Sequence, residues 1–148
     1  MKFIKLLVCT LFVSTQASAT NQEEPMTTLD SLTKFKWVFI DDEGIEKDAD
    51  TFMDFEQTTV TDIDLWLDGS DDIDKNISLY YLSSVFVESF DNTKVGKIKN
   101  GLAIVQQKEG TKCTNYFIHK LTKDSLVLLN MEWPYVISKW KAQPKDRF

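Results

Sequence analysis

From residue 35 onward the apolar positions of this chain do not recur with the 3.6-residue spacing of a helix. They come in short runs rich in β-branched and aromatic residues, separated by Asp, Asn, Gly and Lys. The first run is Phe35 to Asp41, closed by the turn signal Asp42-Glu43-Gly44. Thr51 to Glu56 follows, with Met53 and Phe55 on one side. Thr58 to Leu67 alternates most cleanly. There Thr61, Ile63, Leu65 and Leu67 form the expected core face, and Asp62, Asp64 and Trp66 the wet one, because a strand reverses its side chains at each residue.

Ile77 to Leu82 is apolar on both faces. Residues 83 to 99 are ambiguous: Val85 to Phe90 has strand composition, while Asp91-Asn92-Thr93-Lys94 and Gly96 suit a long connection. Leu102 to Gln107 then breaks at Lys108-Glu109-Gly110. Lys112 to Leu121 and Ser125 to Asn130 make a hairpin around Thr122-Lys123-Asp124. Tyr135 to Lys141 ends the series after Trp133-Pro134, where proline holds its predecessor extended. About eight or nine short strands near ten-residue spacing, without βαβ alternation, predict an all-β fold: an antiparallel up-and-down barrel, or a sandwich. Closure leaves no strand edge exposed.

The first residues change the picture of compartment. Lys2 and Lys5 precede the apolar run Leu6 to Val13, and Ala17-Ser18-Ala19 follows. This is the layout of a cleavable signal peptide over residues 1–19, and the apolar run is well short of the ~20 residues of a spanning helix. A buried terminal strand or helix is the structural alternative. Cys9, in Leu6-Leu7-Val8-Cys9, offers a second route, lipid anchoring, although Val8 is a poor fit to a lipoprotein box. Residues 20–28 read as a polar lead-in and 29–148 as the barrel domain, with a helical turn near Leu29 to Thr33. The expected location is the periplasm or the cell exterior. Formal net charge is −6, and the leader carries two lysines and no acid, so the remainder is more acidic still. Such a surface repels nucleic acid and anionic membrane. Without Cys9, Cys113 is alone and no internal disulfide can form. Its expected role is a small buried hydrophobe.

Several segments together resemble bacterial lipocalin-like domains of small exported proteins, over most of the chain after the leader. They are Phe35-Lys36-Trp37, with an early Trp in the first strand; Tyr80-Tyr81-Leu82-Ser83 followed by Phe90-Asp91 and Lys94-Val95-Gly96-Lys97; Asn100-Gly101 leading into Leu102 to Gln107; and the late hairpin Ile118 to Leu128. The chain departs from that pattern where Phe35 replaces the usual Gly two before the Trp. No Arg stands in the last strand, where Lys139 is the nearest basic residue, and the common disulfide is missing. The resemblance implies an eight-stranded calycin-type barrel whose interior holds one small apolar molecule.

Catalytic constellations are not legible. His119 and Cys113 share a parity but stand about 20 Å apart on a continuous strand. Asp62 and Asp64 are spaced as any alternate strand residues are, so they do not define a glycosidase pair. The acids from Asp62 to Asp74 fail the calcium-loop pattern, because Trp66 occupies a ligand position. Asn76-Ile77-Ser78 formally matches a glycosylation acceptor, discounted because the leader has a bacterial look. No catalytic residue, metal or cofactor is therefore expected.

The aromatic residues are expected chiefly to fill the core. Trp37, Phe39, Phe55, Tyr81 and Phe117 are the candidate lining of a ligand cavity, and Trp66 with Asp62 and Asp64 a candidate contact surface. The functional expectation is an exported, non-enzymatic, lipocalin-like binding protein for a small apolar or amphipathic ligand. The alternative is a pocketless envelope domain that contacts another protein or serves a structural role.

Overall fold

A computed structural model of the chain describes residues 26–41, 44–45, 51–65, 73–132 and 135–147, with the backbone alone described at 63–65, 73–74 and 147. The proposed leader, most of the lead-in, and Trp66 lie outside these residues.

Eight antiparallel strands close into one barrel, each bonded to its neighbours in sequence and the last to the first. They are β1 (Phe35–Ile40), β2 (Phe52–Phe55), β3 (Thr59–Leu65), β4 (Ile73–Ser83), β5 (Ala103–Gln107), β6 (Cys113–Leu121), β7 (Ser125–Asn130) and β8 (Ile137–Pro144). The all-β, up-and-down architecture expected from the alternating runs is present. Residues 83–99 resolve as connection: beyond the end of β4 they hold only a short 3-10 turn, Asn92–Lys94.

The helix α1 (Thr28–Thr33) closes one end of the barrel. Thr27 begins it with a capping box: its hydroxyl accepts from the Asp30 amide at 3.2 Å, and the Asp30 carboxylate accepts from the Thr27 amide at 3.4 Å. Leu29 and Leu32 turn inward and are buried. The indole of Trp37, fully buried, donates to the Leu32 carbonyl at 3.0 Å and so ties the helix to β1. On the other flank, the Leu29 amide donates to the Lys99 carbonyl at 3.0 Å and the Thr28 amide to Asn100 Oδ1, also at 3.0 Å.

From Tyr80 to Leu82, β4 is apolar on both faces because both are covered there, whereas the outward Ile77 is exposed. Tyr80 and Leu82 point into the barrel with Trp37, Phe55, Val60 and Ile104. Tyr81 points out and packs with Phe90 and Val105 beneath the 84–102 connection, with Val87 and Val95 at the margin of that cluster. Asn115, on the outer face of β6, pins this connection: Nδ2 donates to the Val87 carbonyl at 2.8 Å and Oδ1 accepts from the Val87 amide at 3.1 Å.

Candidate functional site

Following the register around the barrel separates its interior into two halves. Near α1 the inward positions include Trp37, Phe55, Val60, Tyr80, Leu82, Ile104, Leu126 and Leu128, each no more than 1% exposed, with Phe35, Ile118, Leu121 and Ala142 half-buried against them. Their side chains pack that half closely, as small barrels commonly are filled, and a hollow of about 260 Å³ remains beside α1, lined by Met26, Thr28, Ile118 and Leu121 among others. Tyr80 brings a hydroxyl into this plug and donates it to the Glu56 carbonyl at 2.6 Å. Burial pushes its pKa well above the ordinary tyrosine value.

The opposite half, where the chain leaves β1, β3, β5 and β7, has another character. Its inward positions are Phe39 and Met53, then Asp62, Asn76, Gln106, Thr114, Tyr116, Asn130, Ser138 and Trp140. Phe39, Asp62, Tyr116, Asn130, Ser138 and Trp140 are only half-buried although they point to the barrel axis. Among the described residues, inward side chains that still meet solvent define a cup at this end.

One wall of the cup is polar. Gln106 Nε2 donates to Asp62 Oδ2 at 2.7 Å across the interior. Asp62 Oδ1, Gln106 Oε1 and the Thr114 hydroxyl are buried and have no hydrogen-bond partner. Gln106 is 8% exposed and Thr114 fully buried, and the two are directly opposite each other on β5 and β6. Buried polar atoms are ordinarily paired, so three orphans at one place ask for an explanation. The other wall is aromatic. Phe39 and Trp140 meet edge to face with centroids 5.4 Å apart, and the Trp140 indole donates to Ser138 Oγ at 2.9 Å. Burial, then the Asp62 charge, pushes the Tyr116 hydroxyl up to about 12. No inward strand position among the described residues carries Lys or Arg, so Asp62 is not neutralised within the barrel. At the rim, Lys108 pairs with Glu132 at 3.4 Å.

Desolvation raises the Asp62 pKa, and the Gln106 hydrogen bond only partly opposes it. The folded protein thus holds this proton more tightly than the unfolded chain. Stability is lost as pH rises from the ordinary value of 3.8 through the raised folded value. Asp62→Asn is therefore expected to stabilise the protein at neutral pH by about 1 kcal/mol, raising Tm a few degrees. The gain should vanish in acid, where Asp62 is already neutral. Thermal melts of both proteins across pH check this, and a lower Tm for the variant at neutral pH would contradict it.

Of the five residues expected to line a cavity, Trp37, Phe39 and Phe55 face inward. Trp37 and Phe55 belong to the filled half, leaving Phe39 in the cup. Tyr81 and Phe117 lie on the outer face, opposite in parity to Tyr80 and Tyr116. Asp62, expected on the wet outer face, is inside. The reason is register: the tight turn after β2, with the Glu56 amide donating to the Thr59 carbonyl at 2.8 Å, sets Phe55 opposite Val60 and carries Asp62 inward. The Asp64 side chain and all of Trp66 lie outside the described residues. Lys139, alternating with the inward Trp140, sits on an outer row and does not pack over Trp37.

Sequence reasoning missed Gln106, Thr114 and Tyr116. The available signal was phase: Gln106 follows Ile104 at strand spacing, and Thr114 precedes Tyr116 and Ile118 in the same way. His119 is exposed at the β6 bulge between Ile118 and Lys120, and Cys113 is half-buried with Sγ 3.8 Å from the Val87 carbonyl. Burial pushes the Cys113 thiol pKa up, away from the reactive thiolate. Among the described residues no group of three or more His, Cys, Asp or Glu is placed to hold a metal ion, and no helix is long and apolar enough to cross a membrane.

No protein-family model matches the chain, and searches of curated proteins and of solved structures find no significant similarity to it. The class defined by the fold is a closed eight-stranded antiparallel barrel, consistent with a calycin-like architecture.

Proposed function

We propose that this chain is an exported, non-enzymatic binding protein of lipocalin-like kind, whose barrel receives one small amphipathic molecule through the end away from α1. The observation that carries the reading is a barrel end whose inward Phe39, Tyr116 and Trp140 are half-buried and which holds three unpaired polar atoms buried on its polar side. Small-molecule binding sites combine an apolar lining with a few convergent polar groups. The sealed half beneath the cup supplies a rigid floor, which favours a site that exists before its ligand arrives. The basic leader ending in Ala17-Ser18-Ala19 supports export to the periplasm or beyond.

Native mass spectrometry of the purified protein tests the reading. The expected result is a co-purifying small molecule whose yield drops when Ser138→Phe fills the cup. A bound molecule retained by that variant would place the site elsewhere.

One surface feature favours a second reading, contact with another envelope protein. Ala103, Phe117, Leu129 and Ile137 align as an outer row across β5 to β8. Val85, Phe86 and Leu102 stand exposed beside it, around a shallow hollow of about 220 Å³. A Phe86→Ser, Ile137→Ser double variant is expected to keep ligand and fold if the cup is the working site. Loss of function in the cell with the cup's ligand retained would favour the contact reading.

A further inference from the structure

The unpaired atoms of the cup have a consistent chemical sense. Asp62 Oδ1 and Gln106 Oε1 can only accept hydrogen bonds while the carboxylate is ionised, and the Thr114 hydroxyl can accept as well. Gln106 is held in this orientation because its Nε2 is already committed to Asp62 Oδ2 at 2.7 Å. Acceptors clustered around a negative charge repel carboxylates and phosphates and suit a group rich in donors. A primary ammonium has three N–H donors and no acceptor. Its donors match the acceptors left unpaired on Asp62, Gln106 and Thr114.

The remaining walls suit the organic part of such a molecule. Phe39, Tyr116 and Trp140 present aromatic surface to the same interior, and aromatic faces attract cations as well as apolar bodies. Other charged groups near the cup do not change the sign. Tyr116 is neutral at physiological pH, and Lys108 at the rim is paired with Glu132.

We propose that the cup is selective for an organic primary ammonium with an aromatic or apolar body, its nitrogen held by Asp62, Gln106 and Thr114 and its body against Phe39, Tyr116 and Trp140. This rests on the reading of the cup as a binding site and adds the charge and class of what it takes. Asp62 then has a use that offsets its cost to stability, and the three orphaned atoms have partners.

Isothermal titration with phenethylamine, phenethyl alcohol and phenylacetate at neutral pH tests it, with the Trp140 indole resonance followed by NMR in parallel. Phenethylamine is expected to bind at least about tenfold more tightly than the alcohol, and phenylacetate most weakly. Asp62→Asn should abolish the advantage of the amine over the alcohol. Thr114→Val, nearly isosteric, should reduce it less. Equal affinity of native protein and Asp62→Asn for phenethylamine, or phenylacetate binding as tightly as the amine, would overturn the proposal. If the alcohol binds and moves Trp140 without any preference for the amine, the ammonium assignment fails while the container reading stands. If none of the three binds or moves Trp140, both fail.

Discussion

Trp37→Ala is expected to be among the most damaging substitutions in this protein, costing about 3–5 kcal/mol. The ring is fully buried in the sealed half, edge to face with Phe35 at 5.8 Å, and its indole N–H satisfies the Leu32 carbonyl at the end of α1. Alanine would leave a cavity in the plug and also release the helix that caps it. Such a loss is a large share of the ~5–15 kcal/mol that stabilises a domain, so Tm should fall by roughly 10–20 °C. Trp37→Phe separates the two contributions: it keeps most of the packing and should cost about 1–2 kcal/mol, chiefly from the unpaired carbonyl and the smaller ring. Denaturant unfolding of the three proteins measures both. A loss below about 1 kcal/mol for Trp37→Ala would mean that the plug is not centred on this ring.

Gly101→Ala should follow, at about 2–3 kcal/mol. A Cβ on residue 101 would lie 2.9 Å from Leu82 Cβ and 2.9 Å from both the amide nitrogen and the carbonyl oxygen of Ser83. Two of these neighbours are backbone and cannot swing aside. The strain falls where the long connection returns to the barrel, beside the Leu102 amide that donates to the Ser83 carbonyl at 2.9 Å. Relief therefore requires moving the start of β5 off β4. Gly110→Ala is the control. Its φ of +60° is left-handed but its surroundings are open, so the cost there is backbone strain alone, about 1 kcal/mol. Equal losses at the two glycines would show that close approach of the chain at residue 101 is not what requires glycine there.

The framework of strands was legible because each is a short run bounded by turn residues, and the barrel follows from many such runs without intervening helices. The faces were less legible. In β3, alternation between Ile63 or Leu65 and the acids suggested that the acids face water. The register set at Phe55 and Val60 places Asp62 in the interior instead. Alternation identifies two faces but not which is inside, and it misleads when the interior at one end is itself polar. β4 posed the converse problem. Tyr81 is apolar and buried yet outside the barrel, since the 84–102 connection folds over it with Phe90. No pattern within β4 distinguishes that cover from a ligand cavity. Phe117, also outside, is 36% exposed on the apolar outer row and was indistinguishable in sequence from a lining residue.

The site suffered most from this limit. Its polar members are single residues on β3, β5 and β6, brought together only by closure of the barrel, and local spacing cannot join Asp62 to Gln106 across 44 positions of chain. What could be read in advance was the aromatic wealth, of which Phe39 alone among the chosen five faces the cup. The hydrogen bond between Asp62 and Gln106 is visible only in three dimensions, and with it the chemical sense of the cup.

Indole hydrogen exchange is the most direct check that the barrel is sealed at one end and open at the other. With the tryptophan N–H resonances assigned through Trp→Phe variants, the protein is transferred to deuterated water and followed by NMR. Trp37, fully buried and bonded to Leu32, should retain its indole hydrogen for hours, whereas Trp140, half-buried at the cup, should exchange within minutes. Equal, slow exchange at both would mean that the interior is closed throughout, and there would be no open cup for a ligand to enter.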